Sequence, residues 1–140
     1  AGDITEKGKR LLLNFGHTLG HAIEMATQGT EETLRHGEGV SLGIVAILSI
    51  CQKEYCLPDE TVNEVKELLE AFNLPIRYDA EKNGFSRDQL VNQCMNLAER
   101  DKKRKDGVLR LVLLEKIGRA YLKSCSDRDT LESGLRSVIF

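Results

Sequence analysis

Val40 to Cys51 is the longest apolar run in the chain, and a run of that kind is buried in whatever fold forms. It sits inside a stretch from Gly37 to Tyr55 with no turn signal before Leu57-Pro58. Its Ile and Val content admits a buried strand, but the length favours a buried helix. Ser and Gly interrupt the run, which falls short of the roughly 20 residues a bilayer span needs. Helices are also predicted around it. Gly8 to Thr27 carries apolar positions at Leu12, Phe15, Leu19, Ala22, Ile23 and Ala26. Asp59 to Phe72 shows Val62, Val65, Leu68, Leu69 and Phe72 on one face and stops at Asn73-Leu74-Pro75. Ser86 with Gln89 makes a capping box for a fourth helix bearing Leu90, Val91, Cys94, Leu97 and Ala98. Val108 to Leu114 and Arg119 to Leu122 flank Glu115-Lys116-Ile117-Gly118 as a hairpin, and Leu131, Leu135 and Val138 support a short last helix. The polar stretch from Gln28 to Arg35 reads as a loop. The expected fold is mainly α, with one small β-hairpin.

With 41% apolar and 30% charged residues, the 140-residue chain has the composition of one soluble globular domain. Its net charge of −2 provides no global field toward nucleic acid or a membrane. Four cysteines without a CxxC pair are read as reduced structural thiols in a cytoplasmic protein. The start, Ala1-Gly2-Asp3, has neither Met nor a charged-then-apolar leader. No strand leads into a Gly-rich phosphate loop, so no dinucleotide-binding unit is recognisable. The expectation is a piece of something larger.

The first helix holds the chemistry. Arg10, Asn14, His17, His21 and Glu24 follow one another at spacings of four, three, four and three, which lines them along one helical stripe. Leu11, Leu13, Phe15 and Leu19 flank that stripe, leaving a narrow polar seam in apolar surroundings. A cation, an amide and two imidazoles aligned in this way suit an anionic substrate or a metal. The plainer alternative is the solvent side of an amphipathic helix with incidental histidines. His17 and His21 have the i,i+4 spacing of a zinc pair, but Thr18 stands where the glutamate of a HExxH metallopeptidase would be. Gly16 and Gly20, and then Gly39 and Gly43, are each four apart. Glycine costs a helix about 1 kcal/mol relative to Ala, so close backbone approach is a reason to keep it. Such a contact would bring the His36-Gly37-Glu38 turn near the seam, with His36 just before a helix N-terminus that favours an anion.

Asn14-Phe15-Gly16-His17-Thr18-Leu19-Gly20-His21-Ala22-Ile23-Glu24, followed by His36-Gly37-Glu38-Gly39-Val40, resembles the signature of the 3-dehydroquinate synthase family. Asp101-Lys102-Lys103, Gly107, Arg110 to Leu114 and Ile117-Gly118 resemble its later block. The resemblance covers nearly the whole chain and implies that residues 1–140 form the multi-helical C-terminal domain of that fold. It further implies NAD held by an N-terminal α/β domain that this chain does not contain, and a divalent metal, zinc or cobalt, between the two domains. The implied reaction turns 3-deoxy-D-arabino-heptulosonate 7-phosphate into 3-dehydroquinate and phosphate in the shikimate pathway to aromatic amino acids. NAD would be reduced and regenerated within each turnover.

By position, the resemblance assigns His17 and His36 to the metal and Arg10 to the substrate carboxylate. Asn14 and His21 fall to the substrate's anionic end, so His21 moves out of the zinc pair that spacing alone suggests. Lys102, with Lys103 as its alternative, matches a late phosphate-contacting lysine. The basic run from Arg100 to Lys105 also reads as a solvated face, and without interleaved aromatics it is a poor nucleic-acid platform. His21 and Lys102 are the expected catalytic residues. Glu24 is read either as the support of a neighbouring imidazole or as a plain surface carboxylate. The third metal ligand of the family is a glutamate upstream of the signature, so neither Glu24 nor Glu38 takes that role. The loop between His21 and His36 is longer than the family pattern. The expected assembly is a homodimer, and the isolated chain is expected to be inactive. Two other readings stay open: a related sugar-phosphate cyclase, against which Arg10 argues for a carboxylate-bearing substrate, and a non-catalytic helical interaction module.

Overall fold

A computed structural model describes residues 17–28, 34–55, 57–104, 109–116, 119–125 and 128–140, with side chains for 19–28, 34–53, 57–100 and 128–140. The elements are α1 (His17–Ala26), α2 (His36–Tyr55), α3 (Asp59–Ala71), a 3-10 turn (Glu81–Asn83), α4 (Arg87–Arg104), β1 (Leu109–Lys116), β2 (Arg119–Cys125) and α5 (Arg128–Arg136).

Helix α2 is the axis of the fold. Leu42, Val45, Ala46, Ile47, Leu48, Ile50 and Cys51 are all buried, as a helix that is apolar all round must be. Around it pack α1, α3, α5 and β1. Helix α1 contributes Leu19, Ala22, Ile23 and Ala26 to the core, and α4 contributes Leu90, Val91, Cys94 and Met95. Leu131 and Leu135 of α5 complete it, together with Val138 and Ile139 just beyond that helix. The expected buried helix is thus observed and the rival strand is not. The first predicted helix is seen from His17 onward, and its residues 8–16 lie outside the described residues.

The predicted stop of α3 has a defined geometry. Asn73 takes a left-handed φ of 60°, its N–H donates to the Glu70 carbonyl at 2.9 Å, and the Leu74 N–H donates to the Leu69 carbonyl at 2.9 Å. Those two bonds make a Schellman motif with asparagine in place of the usual glycine, and Pro75 prevents continuation. The Ser41 hydroxyl donates to the Pro75 carbonyl at 2.6 Å, which pins this corner to α2 and satisfies a buried hydroxyl. Leu68 and Phe72 on the outer side of α3 stay 58% and 70% exposed.

The hairpin is present: β1 and β2 pair antiparallel from Leu109↔Cys125 to Lys116↔Arg119, with an irregularity between Leu114 and Lys116. Both strands run further than the predicted segments. A feature absent from the sequence reading is a parallel bridge between Tyr78 and Ile139. The Tyr78 N–H donates to the Val138 carbonyl at 2.7 Å, and the Phe140 N–H donates to the Tyr78 carbonyl at 2.8 Å. Arg87 reinforces this strap by donating to the Ile139 and Arg136 carbonyls at 2.8 and 2.9 Å.

Cys51 and Cys94 are buried thiols that form no disulfide, in agreement with the reading of structural thiols. Burial pushes the Cys94 thiol up to about 12 from an ordinary 9.0. It should therefore resist iodoacetamide in the native protein and react once denaturant is added, a difference that mass spectrometry reads directly. The sign of its linkage follows. Unfolded, the thiol loses its proton near pH 9.0; folded, it keeps the proton to about 12, so its contribution to stability is lost as pH rises across that window.

Candidate metal- and substrate-binding site

Helices α1 and α2 touch backbone to backbone. A Cβ built on Gly20 would lie 2.6 Å from the Gly39 carbonyl oxygen and 3.0 Å from the Val40 Cα. A Cβ on Gly39 would lie 3.0 Å from the Gly20 carbonyl oxygen and 3.2 Å from the Glu24 Cβ. Of the four glycines singled out by spacing, Gly20 and Gly39 are in contact with each other, and Gly16 lies outside the described residues. The contact lays the first turn of α2 against the last turns of α1.

His36 is the first residue of α2, whereas the sequence placed it just before the helix. The reason is the carbonyl of Arg35, which already accepts the first helical bond from the Gly39 N–H at 3.0 Å. Glu38 then closes the turn, its carboxylate accepting from the Arg35 N–H at 2.9 Å. This is the reciprocal half of a capping box, with a carboxylate at the positive end of the helix. Its sequence signal is a glutamate three residues after the cap, which is hard to see because the cap residue is an arginine. Glu38 is thereby occupied as a helix cap. Glu38→Ala should lower stability by about 1 kcal/mol in a denaturant titration, as loss of a cap does.

Across the helix contact, Nδ1 of His36 lies 2.9 Å from Oε2 of Glu24. The Glu24 side chain is 22% exposed and that of His36 65%. Of the two readings of Glu24, the support of an imidazole is the one observed, and the imidazole belongs to the next helix. At the end of α1 the buried Thr27 hydroxyl donates to the Ile23 carbonyl at 2.9 Å, holding the turn that carries Glu24. His21 lies on α1 between Gly20 and Glu24 and is exposed.

The remaining predicted residues are placed less fully. His17 opens α1 and Lys102 lies in the last turn of α4, their side chains falling outside the described set. Arg10 and Asn14 lie outside the described residues. Among the described residues no three His, Cys, Asp or Glu side chains gather to hold a metal. The donor chemistry of His36 does fit one: an imidazole whose Nδ1 meets a carboxylate is the usual arrangement of a histidine that ligates through Nε2.

Comparison with known proteins agrees with this architecture. The family described as 3-dehydroquinate synthase C-terminal matches residues 1–104. A 3-dehydroquinate synthase from Clostridium botulinum is 38% identical over 122 residues, covering 87% of this chain and 32% of that protein. The Leuconostoc mesenteroides enzyme is 40% identical over 120 residues, covering 86% of this chain and 31% of its own length. That of Nitrobacter hamburgensis is 38% identical over 137 residues, covering 96% and 35%. The chain thus spans about a third of the length of these curated relatives. Among solved structures, a 2-deoxy-scyllo-inosose synthase complexed with carbaglucose-6-phosphate, NAD+ and Co2+ superposes with a TM-score of 0.66 at 22% identity, covering 96% of this chain and 35% of that one. A 2-epi-5-epi-valiolone synthase from Streptomyces hygroscopicus with NAD+ and Zn2+ bound gives 0.67 at 21% identity, covering 89% and 32%. These two likenesses concern the fold. With the family match over most of its length and relatives near 40% identity, this chain belongs to the 3-dehydroquinate synthase family, in the part that forms the C-terminal domain.

Proposed function

We propose that residues 1–140 supply the metal- and substrate-binding half of a 3-dehydroquinate synthase, working with a preceding domain that binds NAD. The complete enzyme, read as a homodimer, would convert 3-deoxy-D-arabino-heptulosonate 7-phosphate to 3-dehydroquinate and phosphate. The observation that carries this reading is the 2.9 Å Glu24–His36 pair at the junction of two helices in backbone contact.

His36 and His17 would hold the metal, His36 through Nε2. When bound, a divalent ion supplies Lewis acidity to the hydroxyls of the reacting carbons. Arg10 binds the substrate carboxylate through its planar guanidinium. Asn14, His21 and Lys102 hold the phosphate end. There Lys102 offsets negative charge as the ester breaks, and His21 holds a proton at a phosphate oxygen. Without the NAD-binding domain the chain lacks a hydride acceptor and should not turn over.

Phosphate release from the heptulosonate phosphate by the complete enzyme tests the reading. Release that requires both NAD and zinc is expected. Release from a sugar phosphate without a carboxylate, and none from the heptulosonate, would instead favour a related cyclase and remove Arg10 from its role. No helix among the described residues is long and apolar enough to cross a membrane.

A further inference from the structure

We propose that Glu24 is a positioning residue that fixes the tautomer and ring orientation of His36 toward a metal ion, and that Gly39 is glycine because the Gly20 carbonyl and the Glu24 side chain both lie against it. The proposal rests on reading His36 as a metal ligand. A neutral imidazole carries one N–H, and an ionised carboxylate can only accept. With Oε2 of Glu24 at 2.9 Å, the proton belongs on Nδ1 and the lone pair that a metal needs belongs on Nε2.

The burial values say which partner is held and which does the holding. The His36 side chain is 65% exposed on the first turn of its helix, so burial alone does not fix its ring. The Glu24 side chain is 22% exposed and lies along the neighbouring helix, where a Cβ on Gly39 would sit 3.2 Å from Cβ of Glu24 and 3.6 Å from its Oε2. The Gly20–Gly39 contact therefore sets the distance between the carboxylate of one helix and the imidazole of the next. Glu38 holds the other coordinate, since its bond to the Arg35 N–H fixes the start of α2 and with it the backbone of His36. One glutamate orients the ring and the other anchors the turn that carries it.

The first readout needs neither metal nor substrate. Long-range 1H–15N correlation spectra of the chain, at a pH where imidazoles are neutral, should show His36 protonated on Nδ1. Glu24→Ala should shift the balance from that tautomer toward the Nε2-protonated one. The second readout is zinc affinity of the complete enzyme by chelator competition. Glu24→Ala should weaken it about 10- to 100-fold, the usual effect of losing a ligand's outer partner. Glu24→Gln keeps the side-chain length and an accepting oxygen, so it should recover part of the affinity and serves if the alanine variant folds poorly. An Nε2-protonated His36 in the unaltered chain would overturn the proposal, as would a switched tautomer with unchanged zinc affinity. If both readouts move as expected and the complete enzyme still releases no phosphate, the positioning role stands and the proposed reaction fails.

Discussion

Gly20→Ala should destabilise the protein by about 2 kcal/mol, lowering its melting temperature by roughly 5 to 10 °C. The added Cβ would stand 2.6 Å from the Gly39 carbonyl oxygen, a backbone atom that no rotamer change can move aside. Relieving the overlap means separating α1 from α2. Overpacking of this kind costs about 1–3 kcal/mol, here at the upper end, and the helix propensity gained by alanine returns about 1 kcal/mol. Gly37→Ala is the matched control. It lies on the same helix as Gly39, but a Cβ there meets no atom within 4 Å, so propensity alone acts and the protein should gain up to about 1 kcal/mol. Opposite signs at two glycines near one helix junction would show that the junction, and not glycine content, sets stability. Because the same contact spaces Glu24 from His36, Gly20→Ala should also weaken metal binding.

His36→Ala in the complete enzyme should reduce phosphate release by more than about 100-fold, because even the loss of a ligand's outer partner costs about 10- to 100-fold. His17→Ala should do the same. The two losses should not add, since either one leaves an incomplete metal shell. The stability of His36→Ala should stay near that of the parent. His36 is mostly exposed, and its removal leaves the Glu38 cap in place. An exposed histidine whose loss removes activity without unfolding the protein marks a ligand and not a packing residue.

Much of this architecture is legible in the residues themselves. Helix α2 follows from a largely apolar stretch too long for a strand, because burial on every side leaves no polar face to mark a period. The end of α3 follows from Asn73-Leu74-Pro75, since asparagine tolerates the left-handed turn and proline forbids another. The Gly20–Gly39 junction follows from glycine spacing, because a glycine kept inside a helix at a cost needs a reason.

What the sequence hides is non-local. The bridge between Tyr78 and Ile139 joins two single positions that have no repeating pattern. The partner of Glu24 is twelve residues away on the next helix, a pairing that helical spacing does not register. Glu38 escapes notice as a cap because Arg35, at the cap position, is not one of the residues that usually announce one. The roles given to Arg10, Asn14, His17, His21 and Lys102 come from the order of the family motif, which states identity and order but no distances.

The most direct test of the central claim is zinc-edge X-ray absorption on the complete, metal-loaded enzyme. The account predicts two imidazole ligands, one of which disappears in His36→Ala and one in His17→Ala. A spectrum with two imidazoles that is unchanged by either substitution would contradict it, because the metal would then be held by residues other than His17 and His36.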